Sequence, residues 1–346
     1  AAPWLHSTSL PNGKTSKRAP RRSNKFAAEC RPMPTNARPM VDLVYHFYFF
    51  CMECVLGSNM STISRGPIDL RAVVSDKSPG LSRRIPDTFL RAFGRLLHIR
   101  ELNQALRSLA HTSGLEFVDG ALAYFGVHTA VTGLKHLEGV DRPVVVANHP
   151  LGGLDGLAIL QAVGRVKGDL ASPVNEFLLA IPQLKTLFLP VHKLGVGKTA
   201  LAPLLDVYRS DKTVVTFPAG LCSRLRGGRI RDLTWQKSFV ALARKYDRPI
   251  VPAYIEGRNS MRFYLLAKIR AALGISFNLE MMFLVDEMYR QKGQTLSIAF
   301  GAPIDSAALE RGRDWDHARR LRAHVYRLAS GECAGECAGE GAGEGV

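Results

Sequence analysis

The chain has 346 residues, 46% hydrophobic and 22% charged, a composition that excludes wholesale disorder, a collagen-like repeat or a coiled coil. Its formal net charge is +16, of which residues 1–40 carry +7 and the tail from Ser330 carries −4. The body of the chain is therefore basic in its own right, which points to an anionic partner: nucleic acid, an acidic lipid surface, a phosphorylated substrate or an acidic carrier protein.

Residues 1–40 are rich in Pro, Ser, Asn and Arg without apolar periodicity and read as a disordered basic arm. The segment 41–57 is apolar but is interrupted by Asp42, His46 and Glu53, so it reads as interfacial or buried rather than spanning. Met60 is a candidate initiator, with 1–59 then lying outside the native chain. Cys51 and Cys54 form a CxxC with no second CxxC to complete a zinc site, and six cysteines make no disulfide framework in a chain this long. A reducing, cytosol-facing location follows, with no metal expected.

Residues 60–133 read as an N-terminal helical region. Asp87 is placed to cap a helix whose stripe is Phe89, Leu90, Phe93, Leu96 and Leu97, flanked by Arg91, Arg95 and Arg100. Such a helix either packs its stripe on the core or lies on an anionic membrane. The following stretch, LNQALRSLAHTSG, continues or restarts it. Residues 134–329 then alternate. Strands are predicted at 143–148, 213–217, 249–255 and 295–301, each short and nearly continuous in hydrophobicity, as strands covered on both faces are. Helices are predicted over GLAILQAVG, ALAPLLDVYRS, DLTWQKSFVALARKY and DWDHARRLRAHVYRLA. This order predicts an α/β fold, a layered αβα domain around a mostly parallel central sheet. The tail 330–346 is a Gly-Glu-Ala-Cys repeat of low complexity.

Two stretches carry chemistry. In VVVANHPLGGLDGLAIL (144–160) a buried strand ends in Asn148-His149, a Gly-containing turn follows, and Asp155 stands before a helix. The carboxyl end of such a strand is where open α/β sheets place ligands. A carboxylate on one ring nitrogen of His149 leaves the other free to act as a base. The bland alternative is a turn histidine with Asp155 as a plain helix cap. In TVVTFPAGLCSRLRGGRIRD (213–232) a strand runs into Phe217-Pro218-Ala219-Gly220. Ser223, Arg224, Arg226, Arg229 and Arg231 follow on a Gly-containing loop, suited to gripping phosphate or simply solvated.

Taken in order, NHPLGGLDG, FPAG with Ser223 and Arg224, and IVPAYIEGRNS are similar to successive blocks of the glycerolipid acyltransferase superfamily, which includes lysophosphatidic acid acyltransferases. Over residues 62–305 the chain most resembles the bacterial haemolysin-like branch, related to aminolipid O-acyltransferases. The resemblance implies His149 and Asp155 as a catalytic pair: His149 takes the proton from an acceptor hydroxyl that attacks an acyl thioester, and Asp155 orients the ring. It also implies substrate-binding roles for Asn148, Gly152, Gly153, Phe217, Pro218, Gly220, Ser223 and Arg224. The last two would grip an acceptor phosphate, and Val251 and Pro252 would shape the acyl pocket. No tightly bound cofactor is implied; acyl-CoA or acyl carrier protein is the co-substrate, and a lysolipid, lysophosphatidic acid or a lyso-aminolipid, is the acceptor. The expected partner is an anionic membrane surface on its cytoplasmic face, not nucleic acid.

Three departures from the family pattern stand out. Five residues rather than four separate His149 from Asp155. Ala219 replaces the usual Glu, and the arginine of the second block is missing, His192 and Lys193 being the nearest cations. The last two favour an amino-acid-containing or other lysolipid over a plain glycerol phosphate, and an inactive lipid-binding homologue remains an alternative. A competing reading, a nucleotide-binding ATPase, rests on GKT at 197–199, but His192 stands where a P-loop needs its first glycine. No GxSxG elbow supports a serine hydrolase. Trp235 and His98 read as packing residues.

Overall fold

In a computed structural model the described residues are 85–330, apart from 175–177, 179–180, 191–197 and 276–277, together with the single positions 71, 75 and 83. The arm, the CxxC, Met60, His192 and Lys193 and most of the tail lie outside them.

Three helices lead: α1 (Asp87–Leu96), α2 (Ile99–Ser108) and α3 (Gly114–Tyr124). Asp87 is not the cap expected of it. Pro86 occupies that position in extended backbone, and Asp87 lies in the first turn, where its charge still favours the helix N-terminus. Helix α2 restarts after His98, which adopts a left-handed φ of 49°. Of the predicted stripe, Leu90, Phe93 and Leu97 are buried, whereas Phe89 is 48% exposed.

A seven-stranded sheet follows, built from β1 (His128–Thr132), β2 (Val144–Ala147), β3 (Leu170–Val174), β4 (Phe188–Pro190), β5 (Thr213–Thr216), β8 (Ile250–Ile255) and β9 (Thr295–Phe300). Its order is β1-β9-β8-β2-β5-β3-β4. Every pairing is parallel except β8 with β9. The sheet is thus mostly parallel, as the near-continuous apolar strands require. All four predicted strands are present within a residue or two. The edge strand β1, at the end of the stretch read as N-terminal helices, pairs with β9.

Helices α3 and α4 (Leu154–Gly164) cover one face of the sheet, burying Val118, Leu122, Leu154 and Ile159 against Val145, Ala147, Val215 and Val251. The other face carries α5 (Lys198–Arg209), α6 (Ser238–Lys245) and α9 (Asp314–Arg327), whose Tyr208, Phe239, Val240, Leu321 and Val325 meet Val144, Val146, Val214 and Ile250. Adjacent valines of β2 therefore feed opposite layers, as the two-residue strand period dictates. Helix α6 is shorter than predicted: 232–236 has no regular secondary structure and only Ser238–Lys245 is helical. The arginine-rich loop is instead a hairpin, β6 (Arg224–Arg226) against β7 (Arg229–Arg231), turning on Gly227 and Gly228 with φ of 54° and 75°, the backbone a tight two-residue turn needs. Two further helices, α7 (Met261–Ala272) and α8 (Leu284–Arg290), lie between β8 and β9. None of the described helices is long and apolar enough to cross a membrane.

From β2 the chain passes first to β3 and later returns to place β8 on β2's other side. The carboxyl end of β2 is therefore the topological switch point, the crevice where open α/β sheets hold ligands.

Candidate active site

His149 stands just beyond that end. Its Nδ1 lies 3.0 Å from Oδ2 of Asp155, which is fully buried in the first turn of α4. The same oxygen accepts the N–H of Leu151 at 2.8 Å and of Gly152 at 3.1 Å, and Oδ1 accepts the N–H of Gly156 at 2.9 Å. A carboxylate surrounded by four donors is ionised and accepts, so Nδ1 of the ring carries the proton and the Nε2 lone pair is the available base. Burial alone would raise the pKa of Asp155, but His149 and the backbone N–H groups outweigh it and hold the carboxyl below its ordinary range. Burial likewise pushes the imidazole down, and the charge and hydrogen bond of Asp155, with a contribution from Asp232, outweigh that and leave His149 above its ordinary value of 6.5.

The turn is closed by its glycines. Gly152 has φ +92°, and a Cβ there would stand 3.1 Å from both methyl carbons of Leu284. At Gly153 a Cβ would come within 2.7 Å of the Met288 sulfur. Five intervening residues thus still bring the ring and the carboxylate together. Phe217 stacks on the imidazole at 4.2 Å between centroids, and Gly220, at φ +66°, closes the turn that begins there by donating its N–H to the Phe217 carbonyl at 3.0 Å.

His149, Gly152, Gly153, Phe217, Pro218 and Gly220 line a cavity of about 950 Å³, at the large end of the ligand-pocket range of about 300–1,000 Å³. Its walls are apolar and draw on both layers of the core: Phe117, Leu160 and Leu184 on one face of the sheet, Tyr208 and Phe239 on the other. Among the described residues Arg107 is the one Lys or Arg in the lining, and no Asp or Glu joins it.

Three expected binding residues serve differently. The Asn148 amide bridges two strands, its Nδ2 donating to the Ile255 carbonyl at 2.8 Å and its Oδ1 accepting the Ile255 N–H at 2.7 Å. Ser223 donates its hydroxyl to Oδ1 of Asp232 at 2.7 Å, and its N–H to the His149 carbonyl at 2.7 Å. Arg224 is not placed as a phosphate grip. Its guanidinium is buried, 2.8 Å from Glu280 and 2.7 Å from the Cys222 carbonyl, and it does not line the cavity. A fully buried carboxylate claims it, because neither charge can be left alone away from water. Val251 is packed in the core and does not line the cavity either.

Asp232 was missed by sequence reasoning. Its Oδ1 accepts the His149 N–H at 3.1 Å as well as the Ser223 hydroxyl, and its Oδ2 accepts the Trp235 indole N–H at 2.8 Å. Trp235 is thus a brace for the site and more than packing. His98, too, is engaged, its Nε2 3.1 Å from Asp286. Asn259, which donates weakly to the Pro150 and Leu151 carbonyls at 3.4 Å, steadies the other side of the turn. Cys222 lines the cavity, but burial pushes its thiol up to about 11, so it stays protonated and is a poor nucleophile at neutral pH.

The acyltransferase family profile matches residues 72–331. The chain belongs to this acyltransferase family. A lyso-glycine lipid O-acyltransferase of Phocaeicola vulgatus is 34% identical over 75% of this chain and 95% of its own length. One of the same name from Bacteroides thetaiotaomicron is 32% identical, over 75% and 97%. Among solved structures, the 1-acyl-sn-glycerophosphate (LPA) acyltransferase PlsC of Thermotoga maritima aligns with a TM-score of 0.40 and 15% identity, covering 86% of this chain and 98% of that one. The enzyme is an acyltransferase, and the nucleotide-binding alternative falls away.

Proposed function

We propose that this acyltransferase moves a fatty acyl chain from acyl-CoA or acyl carrier protein to the hydroxyl of a lysolipid at an anionic membrane surface, on its cytoplasmic face. The observation that carries this reading is the His149–Asp155 pair, 3.0 Å apart at the wall of a large apolar cavity. The acceptor oxygen attacks the thioester carbonyl carbon while its proton passes to Nε2 of His149. The imidazolium formed is stabilised by Asp155. The C–S bond then breaks, and the departing sulfur takes the proton back from Nε2, leaving ester, thiol and neutral imidazole. No covalent acyl-enzyme is needed.

For the acceptor, a lyso-aminolipid fits better than a glycerol phosphate. Two relatives carry the name lyso-glycine lipid O-acyltransferase. In this chain, moreover, Arg224 is engaged by Glu280 and the family's usual Glu is Ala219. The cavity is suited to apolar tails rather than to a doubly charged phosphate. The test is transfer from a labelled thioester to lyso-glycine lipid and to lysophosphatidic acid. His149→Ala should abolish transfer to the preferred acceptor while the circular dichroism spectrum of the folded protein holds. Full transfer by that variant would refute the mechanism, and preference for lysophosphatidic acid would refute the acceptor.

A further inference from the structure

Four of the large apolar side chains exposed among the described residues belong to α7 and the residue after it. Met261, Leu265, Ile269 and Leu273 are 53, 50, 56 and 61% exposed. Spaced every four residues, they form one stripe about 18 Å long at 1.5 Å per residue. The opposite face holds Phe263 and Tyr264, buried against Cys222 with Met281 and Leu284. The helix is therefore apolar on two opposed faces, and the core accounts for one only. A contiguous exposed stripe of this kind marks an interaction surface.

Its charge says which. No Asp or Glu occurs between Arg258 and Leu279, whereas Arg258, Arg262, Lys268 and Arg270 do. At 100° per residue Arg262 and Lys268 fall on the two borders of the stripe, and both are exposed. We propose that α7 docks this enzyme on an anionic bilayer, with the stripe below the headgroups and Arg262 and Lys268 among their phosphates. A second copy of the chain would instead press like-charged borders together. Position agrees. The buried side of α7 backs on Cys222, Met281 and Leu284, all of which line the cavity. Arg262 also pairs with Asp286, which receives His98 from the end of α1, whose Phe93 and Leu97 line the same cavity. Docking deepens the proposed function, since a lipid acceptor must be drawn from a bilayer, yet it is measured without turnover.

The test is co-sedimentation of the full chain with vesicles of phosphatidylcholine alone and of equimolar phosphatidylcholine and phosphatidylglycerol. Wild type should favour the anionic vesicles. Leu265→Glu/Ile269→Glu should lose about tenfold or more in partitioning while keeping its melting temperature, because both sites are exposed, and its transfer rate on detergent-dispersed substrate. Lys268→Glu should weaken binding severalfold and flatten its salt dependence. His149→Ala should dock as wild type, so a failure of the chemistry leaves docking standing. Wild-type partitioning by the double variant would overturn the proposal. Unchanged partitioning with a change from dimer to monomer would overturn it too, by assigning the stripe to a second copy.

Discussion

Replacing Asp155 with Asn removes one charge and little volume, and the structure fixes what should follow. Oδ2 faces three donors, Nδ1–H of His149 and the N–H groups of Leu151 and Gly152, whereas Oδ1 faces only Gly156. The amide will therefore keep its oxygen toward His149 and set its NH₂ against the Gly156 N–H. One opposed buried donor pair costs about 1–3 kcal/mol of stability. In the proposed mechanism the larger effect is on the imidazolium formed during transfer. At 3.0 Å and an effective dielectric of about 20, the lost attraction is about 5 kcal/mol, or about 10³–10⁴ in rate. The assay is steady-state transfer from labelled acyl thioester across pH, with a thermal melt as control. In the wild type the base must be neutral and its pKa is raised, so activity should climb with pH through a value above 6.5. In Asp155→Asn the cause of that elevation is gone, so the residual activity should climb at lower pH. A variant with near wild-type kcat/KM, or one with its acid limb unmoved, would refute the assignment of Asp155 as the partner of the catalytic base.

Arg224→Ala should lower stability by about 3 kcal/mol, because it strips one cation from a fully buried Glu280 that keeps Arg270. A melt should record a fall of about 6–12 °C, with the acceptor KM little changed; a large KM rise at constant stability would instead restore the phosphate grip. Cys222→Ala should retain transfer within about threefold, since a thiol held near 11 is not the nucleophile; trapping of a thioester-linked acyl group on Cys222 would contradict this. His149 is also linked to stability. Its folded pKa lies above 6.5, so its contribution is fully present below that value and fades as pH rises through the higher folded one. The melting-temperature gap between wild type and His149→Ala should accordingly narrow from pH 6 to pH 9.

The central layers were legible because burial on both faces leaves an unbroken apolar run. Val144, Val145 and Val146 read as a covered strand and are one, fully buried, with the site at its carboxyl end. Strands that bury one side or are very short gave no such signal. His128–Thr132 alternates exposed and half-buried residues, and Phe188–Pro190 has three residues. The hairpin could have been found from Gly227-Gly228 between two short alternating runs, a two-residue turn signal. Helix α7 hides from periodicity for a different reason: apolar residues on opposite faces cancel the one-sided pattern that marks a surface helix.

The site divides along the same line. His149 and Asp155 were legible because both lie on one short turn, where chain geometry alone constrains their separation. Their spacing did not decide the matter, however. One residue more than the family pattern is absorbed by the left-handed backbone at Gly152, where a Cβ would stand 3.1 Å from both methyl carbons of Leu284. Asp232 lies far from His149 in sequence and meets it only in the folded chain, where Ser223 and Trp235 each donate to the same carboxylate and hold it in place. Arg224 failed the opposite way. A loop arginine beside a strand end looks solvent-facing until a distant carboxylate, Glu280, arrives from between α7 and α8 and takes it inward. Local chemistry could be inferred from local letters, whereas the fate of a charge depended on which opposite charge the tertiary fold brought to it.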